Sequence, residues 1–257
     1  MPLPNRRAYT DAGPAFVGVG TPKSGTSWVS HIIFSHPDVA ENRLGQKELH
    51  YFSHFPYKTM DNGDISTYRA AFICREDKIT GEFTPSYYWY PFALQHLHKA
   101  APEAKIIMVV RNPIDRMLSH MNQIAAVRGR MLNLDGDAFK IYRFTSVIPE
   151  VMSASLYSRP LELIYRYYDQ TKVLVLQYEK LVEDAASQIR NIYKFLGLTE
   201  YSPENASESI NRRPYIVERF SEEERDNLTH YFLDDVAALA ERGLVDINLW
   251  QEFKRLL

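Results

Sequence analysis

Three short runs in this chain are apolar at nearly every position: Phe16-Val-Gly-Val-Gly20, Lys105-Ile-Ile-Met-Val-Val110 and Lys172-Val-Leu-Val-Leu-Gln177. A strand that alternates apolar with polar residues needs one covered face, whereas a strand apolar throughout needs two. Helical spacing follows the first run from Ser24 to Phe34 and the second from Ile114 to about Val127, and precedes the third from Leu156 to Tyr168. Strands of this kind alternating with helices predict an α/β fold, a central parallel β-sheet flanked by helices on both faces. The 257 residues, 45% of them hydrophobic, suffice for one substantial core, so we expect a single domain over 1–257 with about 1–14 as an N-terminal extension.

Two further helices are legible. Glu179 to Leu196 reads as one helix stopped by Gly197, and Ser221-Glu-Glu-Glu224 offers a capping box for a last helix running to about Arg242. Phe52 to Tyr68 and Arg128 to Val147 are the least regular stretches, and irregular segments outside strand ends are where substrate specificity resides. Net charge is -2, which argues against a general polyanion binder, so we expect no nucleic-acid partner. Cys74 is the single cysteine, so neither an intramolecular disulfide nor a thiolate metal cluster can form. The first residues lack the apolar run of a secretory signal, and no segment reaches the roughly 18 apolar residues of a membrane span. These features predict a soluble, cytoplasmic protein without stable membrane insertion.

The first strand runs into Gly20-Thr-Pro-Lys-Ser-Gly-Thr-Ser27. A loop joining a buried strand to a helix N-terminus points backbone amides outward, and the helix dipole adds partial positive charge, so it binds anions. Gly20 and Gly25 allow close approach, Lys23 adds a full charge, and Thr26 and Ser27 add hydroxyl donors. The glycine spacing matches the nucleoside-triphosphate loop G-x-x-x-x-G-K-[ST], yet Thr26 stands where its lysine belongs. The second strand ends in Arg111, where a nucleoside triphosphatase would carry a magnesium-binding Asp; a guanidinium repels a metal and attracts an anion. We therefore expect no metal. Ser119, about two helical turns beyond Arg111, offers donors for a second anion, so the ligand would be phosphorylated at both ends.

GTPKSGTSW, KELHYF, GEFTPSYY, VVRNPIDRMLSH and VLQYEKLVEDAASQIRNIYKFLGL occur in this order. The ordered set resembles the sulfotransferases that use 3'-phosphoadenosine 5'-phosphosulfate (PAPS), in the branch containing heparan sulfate sulfotransferases and many bacterial enzymes. The resemblance covers about Phe16 to Leu198, with a weaker tail to Trp250. It implies that Lys23, Ser24, Gly25, Thr26 and Ser27 bind the 5'-phosphosulfate, with Lys23 stabilising the oxygen that sulfur leaves, and that Trp28 also binds the cofactor. Arg111 and Ser119 would hold the 3'-phosphate. Glu48 would be the general base that deprotonates the acceptor, with His50 as the alternative base, because other branches use histidine. Tyr157 would lie near the cofactor, and Arg212 and Arg213 would reach its phosphates from a late covering loop. The products would be a sulfated acceptor and 3',5'-ADP.

The chain departs from that branch at two points. Phe83 stands where a lysine near the substrate or sulfate is common, which leans the acceptor toward a small molecule, a simple glycan or a lipid. Cys74 alone cannot form the disulfide of the Golgi enzymes, so the late loop must be held otherwise. Two other classes remain open at this stage: a phosphate-loop kinase or nucleoside triphosphatase, and a nucleotide-binding module without catalysis. A homo-oligomer is also admitted.

Overall fold

The computed structural model describes residues 9–10, 13–75, 77–132, 143–203, 217 and 219–257. Its strands, in chain order, are β1 (Tyr9–Thr10), β2 (Phe16–Gly20), β3 (Val39–Ala40), β4 (Cys74–Arg75), β5 (Ile79–Phe83), β6 (Lys105–Val110) and β7 (Val173–Gln177). Five of them form one sheet in the order β3-β5-β2-β6-β7, with every neighbouring pair parallel. β1 and β4 pair antiparallel as a separate ribbon.

The sheet is covered on both faces, as strands apolar throughout require. Val17, Val19, Ile106 and Met108 face helices α3 (Pro91–Ala100) and α4 (Pro113–Leu132), together with helices Ser158–Tyr167 and Glu222–Glu241. Phe16, Ile107 and Val109 face α1 (Thr26–Phe34) and helix Ala185–Leu196. Full burial of each aliphatic or aromatic side chain contributes roughly 1.5–3 kcal/mol, so these two layers dominate the stability of the sheet. Among the described residues no helix is long and apolar enough to cross a membrane.

The predicted helix Glu179 to Leu196 is two helices, Tyr178–Glu183 and Ala185–Leu196. Asp184 leaves the helical region at φ -139° and ψ 71°, and its carboxylate accepts from Ser187 N, capping the second helix. Gly197 stops that helix at φ 79°, in the left-handed region that favours glycine. The Ser221 capping box forms, with Glu224 Oε2 accepting from Ser221 N at 2.8 Å. The stretch from Phe52 to Tyr68 is more regular than expected: it enters a 3-10 turn, Tyr51–His54, and helix α2 (Asn62–Ala70), which Asp61 and Asp64 cap reciprocally. Most of Arg128 to Val147 lies outside the described residues.

β5, which the periodicity did not reveal, sends Glu82 and Phe83 to opposite faces. The Phe83 ring fills the place a side chain at Gly18 would take on the paired strand: a Cβ there would lie 2.1 Å from the ring. Gly18→Ala should therefore cost about 1–3 kcal/mol through overpacking, and lower the melting temperature by several degrees. Phe83→Leu in the same background should restore part of the loss; thermal unfolding of the two single variants and the double variant measures both.

Candidate active site

β2 and β6 are neighbours, yet the chain leaves β2 for α1 on one face and leaves β6 for α4 on the other. The two C-terminal strand ends therefore part, and the crevice between them is where an α/β sheet binds ligands. The loop after β2 is hooked to β6: Thr21 donates from N at 2.9 Å and from Oγ1 at 2.8 Å, both to the Val109 carbonyl. Thr21 Oγ1 also lies 2.6 Å from Ser24 Oγ, and both hydroxyls are buried. The loop turns through two left-handed residues, Lys23 at φ 71° and Gly25 at φ 90°. For a lysine this costs about 1–2 kcal/mol, which the surrounding bonds must offset. At Gly25 any side chain would strike the Tyr178 ring, because a Cβ there would lie 2.8 Å from it.

Arg111 arrives from the end of β6. Its Nη1 donates to the Lys23 carbonyl at 3.1 Å, and its guanidinium lies 4.6 Å from the centre of the Tyr178 ring, within cation–π range. Tyr157, fully buried, donates its hydroxyl to the Arg111 carbonyl at 2.8 Å. Asp235 of the last long helix fixes Tyr157 in turn, accepting from Tyr157 N at 2.8 Å, from Ser158 N at 2.9 Å and from Ser158 Oγ. Asn112 caps α4 by accepting from Ile114 N at 3.0 Å, and donates its own N–H to Glu179 Oε1 at 2.9 Å.

Glu48 lies beside the same loop. Its Oε1 is 2.7 Å from Lys47 Nζ, and its Oε2 is 3.1 Å from His50 Nε2. Lys47 Nζ also reaches Ser27 Oγ at 3.5 Å, joining the carboxylate to the phosphate loop. The Lys47 and Glu48 side chains are 28% and 34% exposed, so their pair contributes at most about 1 kcal/mol and does not by itself place Glu48. A buried carboxyl does more. Glu82, 0% exposed, accepts from Leu49 N at 3.1 Å, from Tyr68 Oη at 2.8 Å, from Tyr87 Oη at 3.2 Å and from Thr84 Oγ1. Thr84 Oγ1 in turn accepts from His50 N at 3.2 Å. The two amides after Glu48 are thus anchored to one buried cluster, and His50 is held left-handed at φ 51°. Leaving any of these donors buried without an acceptor costs about 1–3 kcal/mol.

The structure thus brings Lys23, Ser24, Gly25, Thr26, Ser27, Arg111, Glu48 and His50 to one crevice region, with Tyr157 behind Arg111. The Ser24 hydroxyl faces Thr21 inside the loop, and Trp28 sits half-buried in α1 against the core. Ser119 is half-buried on α4. Arg212 and Arg213 lie outside the described residues. Phe83 is buried beneath Gly18 rather than exposed in the crevice. Asp235 carries no sequence signal of its own, since an isolated acidic residue reads as a surface group, and Glu82 within GEFTPSYY gives no sign in the sequence that it is buried.

A parallel sheet with a cationic, glycine-turned loop at its switch point defines a phosphate-loop α/β fold. The chain belongs to the sulfotransferase family: the family model described as "Sulfotransferase domain" matches residues 14–232. It is 31% identical over 199 residues to heparan sulfate glucosamine 3-O-sulfotransferase 6 of Mus musculus, covering 76% of this chain and 54% of that protein. Heparan sulfate glucosamine 3-O-sulfotransferase 3A1 of Mus musculus is 30% identical over 189 residues, covering 72% of this chain and 46% of that protein. The chain thus spans about half the length of the curated relatives it matches. A solved sulfotransferase from Alicyclobacillus acidocaldarius shares the fold with a TM-score of 0.72 at 24% identity, covering 93% of this chain and 98% of that one.

Burial pushes the Glu82 carboxyl above its ordinary value of 4.5, against the pull of its hydrogen-bond donors. The folded chain then keeps this proton at pH values where the unfolded chain has lost it. Its contribution to stability is complete below the ordinary value and is lost as pH rises through the folded one. Glu82→Gln removes that titration. Denaturant unfolding should show the stability of the native protein relative to Glu82→Gln declining as pH rises from 4.5 toward neutrality; a constant difference would contradict the assignment.

Proposed function

We propose that the chain is a sulfotransferase that moves a sulfuryl group from PAPS to a hydroxyl or amine of an acceptor. The observation that carries this reading is the bridge of Lys47 between Ser27 of the phosphate loop and Glu48, which sets a proton-accepting carboxylate beside an anion cradle. The donor set fits PAPS: the 20–27 loop with Lys23 and the hydroxyls of Thr26 and Ser27 would hold the 5'-phosphosulfate, with Trp28 beside them. Arg111 and Ser119 would hold the 3'-phosphate. When bound, PAPS supplies the sulfuryl group on a leaving phosphate.

Glu48 acts as the base in this reading, taking the acceptor proton while Lys47 and His50 fix its two oxygens. His50 stands one contact away and is the alternative base. Lys23 presents positive charge where negative charge develops on the leaving oxygen, the placement at which a donor contributes most. Tyr157 steadies Arg111 through the Arg111 carbonyl, and Arg212 and Arg213 remain candidates for a covering loop.

The acceptor is a small molecule, a glycan or a lipid. A sugar hydroxyl is the first to test, because the similar proteins are named for glucosamine 3-O-sulfation. With Phe83 buried, its lack of charge says little about the acceptor, and the lean away from a polyanionic glycan loses that support. The single cysteine suits a reducing, cytoplasmic setting.

Isothermal titration should show binding of 3',5'-ADP without added metal and far weaker binding of magnesium ATP; the reverse preference would favour a kinase or nucleoside triphosphatase. In a PAPS-consumption assay over an acceptor panel, Lys23→Ala and Glu48→Ala should each lower kcat by about a hundredfold or more. Undiminished rates in both variants would refute their roles, and binding without turnover for any acceptor would leave a nucleotide-binding module.

A further inference from the structure

Arg116, at the end of the first turn of α4, is fully buried. Its Nε donates to Ser155 Oγ at 2.9 Å and its Nη1 to the Pro22 carbonyl at 3.3 Å. Its Nη2 donates to the Val151 carbonyl at 3.2 Å and to His120 Nδ1 at 2.9 Å. Four of the five guanidinium donors of an arginine are thereby engaged, all by a hydroxyl, carbonyls or an imidazole nitrogen. No carboxylate pairs with it among the described residues, whose arginine ion pairs are made by Arg225 and Arg242. Asp235, which like Arg116 lies near Tyr88, has its oxygens taken by Tyr157 and Ser158. A guanidinium stays protonated even when buried, and a buried charge without a counter-charge is the costly arrangement.

The contact with Pro22 gives this charge a place in the site. Carbonyl and N–H of one trans peptide point in opposite directions, so a Pro22 carbonyl drawn toward Arg116 turns the Lys23 N–H away from it. Arg111 holds the next carbonyl, that of Lys23. Two arginines five residues apart thus grip consecutive carbonyls of the loop, one from the crevice and one from beneath.

We propose that Arg116 is a positioning residue for the anion at the 20–27 loop, directing the Lys23 amide outward and supplying a buried positive charge that the bound anion neutralises. This rests on reading that loop as an anion cradle. Arg116 does not touch the reacting atoms; its effect falls on affinity.

Isothermal titration with 3',5'-ADP and separately with inorganic pyrophosphate tests it on the native protein, Arg116→Met, Arg116→Lys and Ser155→Ala. Arg116→Met should weaken both ligands by about tenfold or more, while Arg116→Lys, which keeps the charge, stays within about threefold. Ser155→Ala disturbs the same buried cluster without removing the charge, and should lower the melting temperature while leaving affinity within about threefold. The proposal is overturned by native affinity in Arg116→Met, by an equal loss in Arg116→Lys, or by an equal loss in Ser155→Ala. Should Arg116→Met not fold, Arg116→Gln takes its place under the same criteria. Native protein that binds pyrophosphate but not 3',5'-ADP removes the PAPS reading alone, since the Arg116 comparison then stands on pyrophosphate. Binding of neither ligand by the native protein overturns both.

Discussion

The two hydrogen bonds from Thr21 to the Val109 carbonyl, one from its amide and one from its hydroxyl, tie together two strand ends that the topology pulls apart. β2 and β6 lie side by side, but their following helices pack on opposite faces of the sheet, so the chain opens where a ligand fits. The hook holds the start of the loop that then turns through left-handed Lys23 and Gly25. With it, the carbonyls of Pro22 and Lys23 turn toward arginines of the second strand and its helix, and the concave side of the loop is left to its amides.

Charge at the site is layered by burial. Lys47, Glu48 and His50 are between a quarter and a half exposed, where an ion pair is screened and worth little; they can exchange partners with a substrate at small cost. Glu82 and Arg116 are wholly enclosed and exchange with nothing. The inner pair sets backbone directions, Glu82 for the residues after Glu48 and Arg116 for the phosphate loop, beneath the more exposed groups.

Much of this was legible in the chain because burial on two faces leaves an unmistakable apolar run, as in β2, β6 and β7. β5 was not, since Thr80, Gly81 and Glu82 break the run, and it is this polar interruption that supports the Glu48 segment. The displaced lysine and the arginine after β6 were readable in the sequence because loop chemistry is local. What sequence could not convey were bonds between distant residues: Tyr157 to the Arg111 carbonyl, Asp235 to Tyr157, Arg116 to Pro22. The break at Asp184 was missed for a smaller reason, because an acidic residue within a helical pattern reads as a solvated position until its capping bond is seen.

The contacts of Asp235 also bear on where this folding unit ends. The family match stops at residue 232, three positions short of the carboxylate that secures Tyr157. Beyond it, Val236, Leu239, Trp250 and Phe253 belong to the same buried layer as the central strands. Kinship detected by alignment and cohesion enforced by packing thus draw different borders, and the mechanical border of the phosphate site lies in the stretch that alignment leaves out.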